Sequence, residues 1–248
     1  MSSFGWEYAY RSEWGRLRRL FIRMFGIVDL PSRVRARAVL AALHNVSIEN
    51  VLDVGAGTGA YTFYVTRDPN CHAMAMDIDA KCIEMIKSVA ELLNRKKLST
   101  MCGDERTLAT LPAGNFSLVL AIEVLPLFPD LKRALRELHD RLRPGGVLVA
   151  HVPVRESLSG FEHHLVNDSV LESLFGDAGF EKPEIRKTFG QADMALCSVF
   201  AWCTSRPALL AGVYPLLLAA TALTPVFVEK GKYRLVIARK PLVMRERQ

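Results

Sequence analysis

The sequence has no pair of cysteines at C-x-x-C spacing and none set beside histidines at zinc-ligand intervals. Its five cysteines, at 71, 82, 102, 197 and 203, are odd in number. That excludes a fully paired disulfide framework and reads as reduced, mostly buried thiols. The N-terminal region lacks an apolar stretch of the signal-peptide kind, so export is not expected and a cytoplasmic setting is. Internal repeats and low-complexity tracts are missing too, which excludes solenoid architectures. Net positive charge is scarce outside one segment: of the net +6, residues 1–45 supply +5, from eight arginines against three acids. Residues 207–228 form the opposite extreme, 22 positions without a charge.

What remains is a globular chain of 248 residues, half of them apolar and 23% charged, enough for one large domain with appendages. Short apolar runs alternate with amphipathic ones. Strands are expected at 50–55, 72–77, 98–104, 116–122, 147–153, 184–190 and 233–240. Helices are expected at 58–68, 80–94, 130–142 and 167–180, the last capped by Asn167 or Asp168. "RPGG" at 143–146 stops the third of these helices before its strand. Near-continuous apolar strands between helices imply an α/β fold with a parallel sheet covered on both faces, which binds ligands at the carboxyl ends of its strands.

The stretch "VLDVGAGTGAY" puts Gly55, Gly57 and Gly59 directly behind the first strand. Such residues let backbone take positive φ and approach a ligand closely. The spacing Gly55-x-Gly57-x-x-Ala60 satisfies a dinucleotide fingerprint, which would make the chain an NAD(P)-dependent oxidoreductase. Asp53 argues the other way, because a carboxylate two residues before the glycines repels a pyrophosphate and suits an ammonium. Asp53 and Asp104 also have a bland reading as turn or N-cap residues.

Four blocks in order extend the argument: "VLDVGAGTG", "AMDID", "CGDERTLATLPAGNFSLVLAIEVL" and "LKRALRELHDRLRPGGVLVAHVP". Together they resemble the class I S-adenosyl-L-methionine (SAM)-dependent methyltransferases of the type 11 domain family over roughly residues 45–190. The overall look is similar to the group that includes quinone-biosynthesis enzymes. The resemblance implies a Rossmann-like seven-stranded, mostly parallel sheet whose last strand, "YRLVIARK", runs antiparallel. It also implies SAM as cofactor and S-adenosyl-L-homocysteine as product. The implied cofactor set is Asp53, Gly55, Ala56, Gly57, Gly59, Asp77, Ile78, Gly103, Asp104, Glu105 and Ile122. Within it Asp77, with Asp79 as alternative, would take the ribose hydroxyls and Asp104 the adenine amino group. A SAM-binding module without turnover is the other rival reading.

For the acceptor's proton, His151 at the end of the fifth strand, His164 before the 167 helix and Glu123 after the fourth strand are the candidates. His139 reads as a solvated surface residue, and His44 and His72 fall outside the site. "AIEVLP" is not the N/D-P-P-Y of adenine- or glutamine-methylating enzymes, and no metal-ligand set is visible.

The chain divides into a basic helical segment at 1–45, a SAM-binding core at 46–190, an apolar helical insertion at 191–231, and a last strand and tail at 232–248. Residues 13–27 put Trp14, Leu17, Phe21 and Met24 opposite Arg16, Arg19 and Arg23. That pattern fits a lid, or a helix lying peripherally on an anionic membrane surface. Nucleic acid ranks last, for want of an extended basic track. The 207–228 run is long enough for a membrane span. Its place between the last two strands, which must share a sheet, argues instead for an apolar lid or a shallow membrane contact. With Phe189, Met194, Phe200 and Trp202 it suggests a greasy cavity for a hydrophobic or lipid-like acceptor such as an isoprenoid, quinone, lipid or glycolipid.

Overall fold

The computed structural model describes residues 4–11, 15–44, 46–154 and 167–242. His164, Trp14 and the start of the 13–27 segment therefore lie outside the described residues. Seven strands form one sheet in the order β3-β2-β1-β4-β5-β7-β6. They are β1 (Asn50–Val54), β2 (His72–Asp77), β3 (Leu98–Cys102), β4 (Phe116–Ile122), β5 (Leu142–Pro153), β6 (Glu184–Thr188) and β7 (Tyr233–Arg239). The first five pair in parallel, and β7 runs antiparallel between β5 and β6. The strand order reverses at β1 and β4, and there a crevice opens at the carboxyl ends.

The apolar runs are continuous because both faces of the sheet are buried. On one face Val119 and Leu148 pack with Leu135 and Phe175. On the other Leu118 and Val149 pack with Val39 and Tyr61. The helices that supply these layers are α2 (Leu30–Leu43), α3 (Ala60–Val65), α4 (Ala80–Leu92), α5 (Glu105–Thr110), α6 (Leu131–Arg141) and α7 (Asp168–Asp177). They follow α1 (Arg16–Phe25), itself preceded by a 3₁₀ turn at Trp6–Tyr10. Side-chain caps set most of their starts: Asp29, Asp79, Asp104, Asp130 and Asn167 each accept a backbone N–H from the first turn.

Three expectations change. The helix foreseen at 58–68 is only Ala60–Val65, because Gly59 is still left-handed and Thr66 already turns the chain. The "RPGG" segment does follow the end of α6, but it is part of β5. A register shift between Phe116 and Leu118 and a left-handed Gly145 make it a bulge. Beyond Cys102, Gly103 turns the chain out of β3 and Asp104 opens α5, which periodicity did not announce. Between β6 and β7 run α8 (Gln191–Thr204) and α9 (Pro207–Leu223), the latter with Pro215 inside it. Among the described residues no helix is long and apolar enough to cross a membrane.

Candidate active site

The three glycines of the β1–α3 loop all have positive φ: +67° at Gly55, +53° at Gly57 and +78° at Gly59. Packing dictates two of them. A β-carbon on Gly55 would sit 2.5 Å from Val124 Cγ2, and one on Gly59 would sit 2.9 Å from Ile86 Cγ1. Around Gly57 nothing lies within 4 Å of that position. Gly55→Ala is therefore expected to cost about 2–3 kcal/mol through clash and a strained φ, read as a lower Tm.

The N–H of Gly57 donates to Asp77 Oδ2 at 2.7 Å, while Asp77 Oδ1 accepts from the Asp79 N–H at 2.9 Å. Asp77 is thus fixed at the tip of β2, beside the loop. Asp79, the alternative ribose ligand, is instead the N-cap of α4. From the N-terminal side, the Tyr8 hydroxyl hydrogen-bonds the Thr58 hydroxyl, and buried Glu7 pairs with Arg67 at 2.8 Å. The N-terminal segment is thereby tied to the glycine loop.

Asp53 is only 2% exposed, and Thr62 Oγ1 donates to its Oδ2 at 2.5 Å. Its carboxylate braces α3 from behind the loop. Burial pushes its pKa up to about 6. A carboxyl raised by folding stabilises the native state most below its unfolded pKa, and that contribution is lost as pH rises through about 6. Asp53→Asn keeps an acceptor for Thr62 and is expected to raise Tm relative to wild type above pH 6, by up to about 3 kcal/mol in stability. The difference should vanish near pH 4, and thermal melts across that range check it.

A cavity of about 750 Å³ opens at the carboxyl ends of β1, β2 and β4. Gly55, Asp77, Ile78, Gly103, Asp104, Glu105, Ile122 and Glu123, eight of the residues singled out in the sequence, line it. Ala56, Gly57 and Gly59 lie in the adjoining loop. Ile78 is 74% exposed at the rim. Asp104 caps α5 by accepting from Arg106 and Thr107 N–H, and these backbone donors hold its carboxyl below the usual range. Gly103 is required there, since a β-carbon would lie 2.4 Å from Thr107. The cap reading and the cavity-wall reading of Asp104 both hold. Five carboxylates line the cavity against two guanidinium groups, and Arg133 is drawn onto Glu105 at 3.3 Å.

At the end of β4, Glu123 adopts φ +60°, a conformation a non-glycine residue holds only when its surroundings impose it. Its N–H donates to the His151 carbonyl at 2.8 Å. Its carboxylate meets Arg35 Nη2 at 2.7 Å and, through Oε1, His151 Nδ1 at 3.6 Å. Burial alone would raise the Glu123 carboxyl, but His151 and Arg35 outweigh it and hold it below the usual range. His151 is fully buried, bonded through Nε2 to Thr188 Oγ1 at 3.0 Å and stacked on Tyr233 with ring centroids 5.1 Å apart. Burial lowers its pKa against the pull of Glu123, so the ring is neutral at pH 7. The neighbouring carboxylate favours the Nδ1–H tautomer, leaving Nε2 to accept from Thr188.

This corrects the sequence reading of His151 as a base at the strand end. The side chain stands beneath Glu123, and the group on the cavity wall is the carboxylate. His139 is not solvated either: its side chain is 17% exposed and packs edge-on against Phe180 at 5.0 Å. Phe189 packs against His151 and Tyr233, and Phe200 packs against Tyr214, while Met194 and Trp202 face outward. Those four side chains do not build one cavity. Arg35 and Thr188 went unforeseen. In "SRVRARAV" three arginines alternate with apolar residues, and nothing local marks Arg35 as the one that reaches Glu123 while Arg33 and Arg37 bond elsewhere.

Comparison with known proteins places these features. A family model described as a methyltransferase domain matches residues 52–150. The chain is 34% identical over 119 residues to a trans-aconitate 2-methyltransferase of Azoarcus sp., covering 48% of this chain and 44% of that protein. It is 33% identical over 138 residues to a malonyl-[acyl-carrier protein] O-methyltransferase of Dechloromonas aromatica, covering 54% and 48%. The chain spans about half the length of the curated relatives it matches. Among solved structures, the Haemonchus contortus phosphoethanolamine N-methyltransferase 2 in complex with SAM shares the fold. Its TM-score is 0.61 at 13% identity, over 94% of this chain and 61% of that one.

Proposed function

We propose that the protein is a SAM-dependent methyltransferase, as the methyltransferase-domain match over residues 52–150 suggests, and that it transfers a methyl group from SAM to a small, hydrophobic acceptor placed against Glu123. The observation that carries this reading is the cavity itself, in which Asp77 and Glu123 stand on opposite sides of the glycine loop's exit.

The residues fit SAM better than a dinucleotide. The Gly57 amide, which a pyrophosphate would use, already points at a carboxylate, and acids outnumber cations on the walls. A ligand carrying an ammonium and a sulfonium is favoured there, whereas phosphates are repelled. The volume lies within the roughly 300–1,000 Å³ of small-molecule sites. SAM supplies a methyl group on sulfur that is already activated for displacement. By the match to the family's motifs, Asp77 would hold the ribose hydroxyls, exposed Ile78 would cover the adenine, and Asp104 would face its amino group. Asp53 would act on this cofactor through the loop it braces.

The protein's part is then alignment and one proton. Glu123 is ionised at neutral pH and is held in place by Arg35 and His151, so it can accept the hydrogen of an acceptor hydroxyl as the oxygen takes up the methyl. An acceptor carrying its own carboxylate would be repelled by Glu123. This favours a neutral, lipid-like molecule such as a quinol, isoprenoid or glycolipid, and the exposed apolar residues of α8 and α9 suit its delivery from a membrane surface. The N-terminal segment, tied to the loop through Tyr8, would close over the cofactor.

The test is to incubate the protein with methyl-labelled SAM and a lipid extract. Transfer of label to an organic-soluble product one methylene heavier is the expected result. Label entering only water-soluble carboxylic acids would overturn the acceptor class.

A further inference from the structure

Helix α9 is apolar on every side. Its inner stripe, Tyr214, Leu217 and Thr221, is buried. Its outer stripe is apolar as well: Leu209, Leu216 and Leu223 recur every two turns and are 38%, 69% and 86% exposed. A helix without a polar face is stable where something other than water covers it. On α8, Val199 and Trp202 add exposed apolar surface, and the Arg206 guanidinium stands 4.3 Å over the Trp202 ring. Helix α1 packs beside α9 through Phe21 and Phe25, whose rings lie 5.2 and 6.0 Å from that of Tyr214. It contributes exposed Leu20 and Met24 together with exposed Arg16 and Arg23.

The charge on these helices has one sign. Helix α1 holds four arginines and no acid, α9 holds no charge, and the acid of α8, Asp193, is buried on the Gly190 N–H and the Thr224 hydroxyl. We propose that α1, α8 and α9 form a docking face for an anionic lipid bilayer, lying in the headgroup region without crossing it. Exposed arginines such as Arg16 and Arg23 complement phosphate and carboxylate headgroups. A tryptophan paired with arginine is an amphipathic anchor suited to the boundary between water and hydrocarbon. A second copy of the chain fits less well, because an isologous contact would set the same arginines against one another. Crossing is not supported, since among the described residues no helix is long and apolar enough to span a membrane.

The experiment is co-sedimentation of the full chain, without cofactor, with phosphatidylcholine vesicles lacking or containing phosphatidylserine. The protein is expected to sediment with the serine-containing vesicles and to be released by salt. Leu216→Glu combined with Leu223→Glu should lower partitioning by at least roughly tenfold. Arg16→Gln and Arg23→Gln should lower it by roughly fivefold each. Thermal melting establishes that the variants are folded. Equal partitioning of wild type and the leucine variant would overturn the proposal. So would failure of the wild type to bind, or a solution dimer that the leucine variant dissociates. Since neither SAM nor turnover enters the assay, such a failure would leave the methyl-transfer reading where it stands.

Discussion

Replacing Asp77 by alanine is expected to weaken SAM binding by roughly a hundredfold or more, because two charge-assisted hydrogen bonds to the ribose would be lost. The same carboxylate also holds the Gly57 N–H and the Asp79 N–H, so the loop would lose its anchor at the tip of β2. Asp77→Asn separates the two effects. An amide oxygen can still accept from Gly57, so the loop should stay in place while the charged contacts weaken. Calorimetric titration of both variants, with Tm measured alongside, checks this. Unchanged affinity in a folded Asp77→Ala protein would mean that the cofactor does not lie at the end of β2.

Glu123→Gln is expected to lower kcat by roughly 10²–10⁴-fold, the usual weight of a positioned proton acceptor. Its effect on SAM affinity should be slight. The substitution keeps the size of the side chain and its left-handed backbone, so folding should survive. Arg35→Met probes the same group from the other side. Removing the guanidinium releases the carboxyl from the charge that holds it low. The acid limb of the kcat profile should then move to higher pH, a shift that a merely structural role for Arg35 would not produce. A Glu123→Gln enzyme with wild-type turnover would leave alignment alone as the source of rate.

Much of this site is legible in the sequence because the fold writes it locally. Gly55, Asp77 and Asp104 each sit within two residues of a strand end, with Gly57 and Gly59 in the loop just behind, and strand ends follow from apolar runs and the turn residues behind them. Glu123 is reached by the same logic at the end of β4. What escapes is whatever depends on packing between distant elements. His151 has the residue type of a base and the right strand end, but burial and a hydrogen bond to Thr188 place it under the carboxylate. Arg35 comes from α2, 88 residues from its partner by the numbering of the pair. No pattern in an arginine-rich helix says which side chain meets Glu123. The 3₁₀ turn at Trp6–Tyr10 and α5 are too short for periodicity to register, and caps and loop contacts define them instead. Helix α9 was visible as an uncharged run, but only its packing shows that one apolar stripe is buried and the other is bare.

The most direct test of the central claim is calorimetric titration of the purified protein with SAM, S-adenosyl-L-homocysteine and NADH under the same conditions. Saturable binding of SAM and its product, with no heat from NADH, is the expected result. Binding of NADH in place of SAM would mean that the carboxylates around the glycine loop do not exclude a pyrophosphate, and the methyltransferase assignment of the cavity would fall.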